Sequence, residues 1–123
     1  MTLIKISNGE LLDRISIIEL KKLNMENPAN LASIEREFLE LNPKCVGLFT
    51  KNDHSVKVLY LSLAKINSTL WELKNKVRDK NISDKDFIMY SKQIFKLNEK
   101  RNKIKNDINI ITGSDYLDVK EYS

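Results

Sequence analysis

"VKVLYLSLAKINSTLWELKNKV", residues 56–77, is the stretch that decides the fold. Val56, Leu59, Leu63, Ile66, Leu70, Leu73 and Val77 recur in alternating steps of three and four, the spacing that keeps one side of an α-helix apolar. "FIMYSKQIFKLNEKRNKIKNDINII", residues 87–111, repeats the pattern through Phe87, Tyr90, Ile94, Leu97, Ile104, Ile108 and Ile111. Only Asn81-Ile82-Ser83 intervenes as a turn, with Ser83 placed to cap the second helix and Gly113 to end it. The pattern predicts an antiparallel coiled-coil hairpin of two helices, over about 54–79 and 84–111.

Working outward, Ser7-Asn8-Gly9-Glu10 matches a capping box, and it opens a helix over about 8–25 with Leu11, Leu12, Ile15, Ile18 and Leu23 on or beside one stripe. Asn27-Pro28 stops that helix and starts another, with Leu31, Ile34, Phe38 and Leu41 inward. Asn42-Pro43 is expected to close it near residue 41, leaving 42–53 as an irregular loop with Val46, Leu48 and Phe49 exposed and Asn52 or Asp53 capping the next helix. The whole is expected to be one all-α domain, 1–123. Residues 1–6 form an extended arm, the two shorter helices pack against the hairpin's open end, and a tail at 114–123 could pair with the arm. Leu61, Trp71, Ile88, Phe95 and Ile110 lie off the narrow seam; the two shorter helices are the expected cover, and a homodimer is expected to bury what remains.

Composition excludes several classes. One Cys and one His give neither a disulfide framework nor a Cys/His metal site, so no metal and no cofactor is expected. No apolar run is long enough to span a membrane, and the N-terminus lacks the features of a signal peptide, so the expected location is the cytoplasm. The positive charge is concentrated in 56–111, with 13 Lys or Arg against 6 Asp or Glu. Aromatic residues are not interleaved with those cations as a base-stacking platform would need, which disfavours nucleic acid and favours a solvated basic face.

One position breaks the pattern. Arg101 falls on the apolar row between Leu97 and Ile104, and Asn98, Lys105 and Asn109 continue it as a polar stripe. A guanidinium among leucines is tenable only when paired, because an unpaired buried charge costs several kcal/mol. Glu10 and Asp13, beside Arg14 on the first helix, are the expected partners. Two readings follow. In the favoured one, the arginine fixes the register of a non-enzymatic helical interaction or accessory protein with a protein partner. In the other, Arg101 and Lys105 clamp a small phosphorylated or carboxylated anion, Asn98 orients it, and Glu10 or Asp13 serves as acid or base in a metal-independent enzyme. The candidate site is therefore Glu10, Asp13, Arg14, Asn98, Arg101, Lys105 and Asn109. An E-x-x-E at Glu37 and Glu40 has no second acidic motif to complete a magnesium site, and the Leu11–Ile15 stretch is only faintly similar to helical chorismate mutases.

"SNGELLDRISIIELK" (7–21), "LWELKNKVRD" (70–79) and "NEKRNKIKNDINIITGS" (98–114) together resemble a small bacterial family of all-helical proteins of unknown function, sometimes found near polysaccharide-assembly or glycosyltransferase genes. The resemblance carries over Ser7, Gly9, Glu10, Asp13, Trp71, Arg78, Asn98, Arg101, Lys105, Asn109 and Gly113-Ser114. Glu99, Arg14 and the 118–122 tail depart from its usual residues. It implies a link to surface-polysaccharide biosynthesis without naming a reaction.

Overall fold

Four helices make up the computed structural model, which describes residues 5–52 and 54–114: α1 Asn8–Asn24, α2 Pro28–Lys51, α3 His54–Val77 and α4 Asp84–Thr112. No strand occurs among the described residues, and the fold is all-α. The expected arm–tail pairing and the Asp53 cap fall outside the described residues. Asn52 is the C-cap of α2.

Local chemistry sets most boundaries. Ser7, Asn27 and Ser83 each accept a backbone N–H in the first turn of the helix that follows. Gly113 closes α4 in the left-handed region, φ 64°, where a side chain would be strained.

The second helix corrects the expected loop. α2 continues through Asn42-Pro43 for 24 residues to Lys51. Proline removes one helical hydrogen bond, but Leu39, whose carbonyl loses its partner, and Pro43 are both exposed, so water can serve that carbonyl. The stripe Phe38, Leu41, Cys45, Leu48 and Phe49 keeps helical spacing across the proline and packs on the core, and that burial outweighs the break. Cys45 is buried, and Phe49 meets Tyr60 of α3 edge to face at 5.4 Å between ring centres. Of the three apolar residues expected in solvent, only Val46 is exposed.

The core lies where α1 packs against α3 and α4: Leu11, Leu12, Ile15, Cys45, Val56, Leu63 and Ile108 form one buried cluster. The start of α3 (His54, Val58) lies beside the end of α4 (Ile110, Ile111), whereas Lys76 near the end of α3 sits over the Tyr90 ring near the start of α4. α1 packs on α2, α3 and α4 and is tied to α2 by Lys22, which pairs with Glu35 at 3.1 Å and lies over Phe38. Farther toward the 78–83 connection no described residue of α1 or α2 is shown covering the two long helices, and Phe87, expected inward, is exposed. Leu23 is also in solvent, at the far end of α1. The shorter helices do not cover the second apolar stripe: Leu61, Ile88, Phe95 and Ile110 are all exposed.

Candidate functional site

The α1–α4 contact starts from a glycine. A Cβ at Gly9 would collide with the Lys105 carbonyl, so only glycine lets the first turn of α1 touch the backbone of α4. At that approach the Gly9 N–H donates to Asn109 Oδ1 at 2.6 Å. Asn8 reinforces it: its backbone N–H donates to Ser114 Oγ and its Nδ2 to Thr112 Oγ1. Two of the orphan N–H groups at the start of α1, those of Asn8 and Gly9, are thus taken up by Ser114, just past α4, and by Asn109.

The next residue of α1, Glu10, receives Lys105 Nζ at 2.6 Å and Arg14 Nε at 3.4 Å. Ser7 Oγ accepts from Glu10 N at 3.1 Å, as the capping box requires, and the Glu10 carboxylate meets the two cations.

Asp13 comes next and is 1% exposed. Arg101 clasps it side-on, Nε to Oδ1 at 2.9 Å and Nη2 to Oδ2 at 2.5 Å. Asn67 Nδ2 donates to the same Oδ1 at 2.9 Å and to Ser16 Oγ at 2.6 Å, and the Ser16 hydroxyl donates to the Asp13 carbonyl. A buried carboxylate with this many donors is satisfied rather than stranded. The Asp13 hydrogen bonds hold Arg101 protonated even more firmly than usual, against the opposing pull of burial.

Six of the seven expected residues meet: Glu10, Asp13, Arg14, Arg101, Lys105 and Asn109 form one ladder between α1 and α4. Asn98 does not join it; it is half-buried and its side chain makes no hydrogen bond among the described residues. The sequence reading missed Asn67 and Ser16. Asn67 stands four residues after Leu63 and three before Leu70, both buried, and that spacing was the available signal.

Beside Arg101 the surface opens into a cavity of about 220 Å³. It is lined by Asn67, Trp71, Lys74, Asn75, Arg78 and Arg101 together with the apolar Ile17, Leu20 and Leu70. Trp71, which sequence reading places in a second apolar stripe, is half-buried in this lining. No group of His, Cys, Asp or Glu among the described residues is arranged to hold a metal ion, and no described helix is long and apolar enough to cross a membrane.

No curated protein and no solved structure matches the chain. The family described as "Family of unknown function (DUF6165)" matches it over residues 2–123. With all but the first residue inside that match, the chain belongs to this family.

Proposed function

We propose that this chain is a non-enzymatic helical interaction or accessory protein, a single unit that pairs with a second copy of itself through the outer faces of α3 and α4 and works in the cytoplasm. The observation that carries the reading is the exposed apolar row Leu61, Ile88, Phe95 and Ile110, each more than half exposed. Large apolar side chains left open along two helices are the usual mark of an interface. The polar ladder supports the same reading: Arg101 and Lys105 are already neutralised by Asp13 and Glu10, so the ladder sets how α1 lies on α4 and leaves little free charge for a substrate. A clamp of Arg101 and Lys105 with Asn98 orienting the anion, and Glu10 or Asp13 as acid or base, would first have to break those pairs. A role in surface-polysaccharide assembly rests on the family resemblance and specifies where a further protein partner would be sought.

Sedimentation equilibrium at micromolar concentration tests the reading. The expected result is a dimer that Leu61→Glu and Phe95→Glu together convert to a folded monomer. A wild-type chain that stays monomeric throughout that range would overturn it.

A further inference from the structure

We infer that the cavity between α1, α3 and α4 is a binding site for a ring-bearing phosphate monoester. Arg101 is held from one side: Asp13 takes its Nε and Nη2, and Nη1 has no hydrogen-bond partner among the described residues, while the side chain lines the cavity. An arginine already fixed by a buried carboxylate loses little freedom on meeting a ligand, and the hydrogen bonds it still has to offer suit phosphate oxygens.

The lining supplies the charge. Lys74 and Arg78 line the same cavity, and among the described residues they make no ion pair and no carboxylate lines it. Arg101 and Asp13 cancel one another, so Lys74 and Arg78 leave a local excess of two positive charges. A phosphate monoester is close to a dianion at neutral pH and matches that excess; a monocarboxylate does not. Cations at the C-terminus of a helix also answer its dipole, and that accounts for Lys74 and for Arg78, which directly follows α3. It does not account for Arg101, which comes from another helix.

The remaining surface defines the organic part. Trp71 stands beside the apolar Ile17, Leu20 and Leu70, and the exposed Asn75 supplies an amide group. An indole next to apolar side chains favours a ring with a flat or apolar face. The cavity of about 220 Å³ is small for a ligand site, which limits the ester to one ring.

Trp71 is the only tryptophan in the chain, so its fluorescence reports on this cavity alone. The full-length protein is titrated at pH 7.5 with phenyl phosphate and with glucose 6-phosphate, which separate an aromatic from a sugar ring. Phenol, glucose and inorganic phosphate serve as controls. The expected result is a saturable change in emission with at least one ester, half-complete at about 1 mM or below. The neutral rings should give none, and inorganic phosphate should bind at least several-fold more weakly. Lys74→Gln/Arg78→Gln, two exposed substitutions, should weaken the response at least tenfold and leave the melting temperature unchanged. Failure of both esters to saturate overturns the site, as does an equal response in the double variant. Inorganic phosphate binding as well as the esters overturns the ring-bearing class.

Discussion

Gly9 of α1 lies against the backbone of Lys105 in α4, so close that a Cβ on Gly9 would stand 2.8 Å from the Lys105 carbonyl carbon and 2.9 Å from Asn109 Oδ1. The neighbour is backbone, which cannot swing aside. The contact fixes how near α1 can come to α4, and every rung that joins the two helices depends on that distance.

Gly9→Ala should therefore destabilise the protein, although alanine is the better helix former by about 1 kcal/mol. The overlap forces α1 outward and stretches the Gly9–Asn109 hydrogen bond, at a net loss of about 3 kcal/mol. Urea unfolding of the two proteins measures this. A variant as stable as wild type would mean that α1 does not approach α4 so closely.

Arg101→Leu leaves the Asp13 carboxylate buried with Asn67 as its remaining side-chain donor, and should cost about 3 kcal/mol. Adding Asp13→Asn removes the stranded charge, so the double variant should melt closer to wild type than Arg101→Leu does. Thermal unfolding at low salt reads both. A leucine that raises the melting temperature would instead show an arginine kept at the expense of stability.

Pro43 and Gly47 lie inside α2, and a Cβ at Gly47 meets nothing within 4 Å. Gly47→Ala should stabilise by about 1 kcal/mol. Pro43→Ala restores the missing N–H and should stabilise by about 1–3 kcal/mol, since an interior proline costs about that much or more. Circular dichroism should show no loss of helix. If residues 42–51 were an irregular loop, neither substitution would help.

Burial, and then the charge of Glu19, push the Cys45 thiol up to about 11, and the same two causes raise the Tyr60 hydroxyl well above its ordinary value. The folded state keeps protons that the unfolded chain gives up at lower pH. The contribution to stability is therefore complete below the ordinary thiol value of 9.0 and is lost as pH rises toward 11. Unfolding free energy should fall across that window, and Cys45→Ala should flatten part of the fall. At pH 8, a thiol reagent should label Cys45 only as fast as the protein opens.

How much could be read in advance varies from residue to residue. Ser7, Asn27, Ser83 and Gly113 act within one turn of their own helices, so the sequence places them directly. The alternating apolar steps from Val56 to Val77 and from Phe87 to Ile111 likewise announce two long helices, because periodicity is a property of the chain itself. An arginine on an apolar row announces that some carboxylate must come to it. Which carboxylate receives it was decided by the tertiary structure. Gly9 sets the approach of α1, and that approach puts Asp13, with Asn67 beside it, within reach of Arg101. The same holds for Pro43: local chemistry reads it as a stop, and the helix runs through it because Cys45, Leu48 and Phe49 have a core to enter. The exposed row from Leu61 to Ile110 could not be read either, since whether a second stripe is covered depends on where two other helices come to rest. Local hydrogen bonds and helical period are written residue by residue. Partners brought together from distant parts of the chain exist only once the packing has chosen its distances.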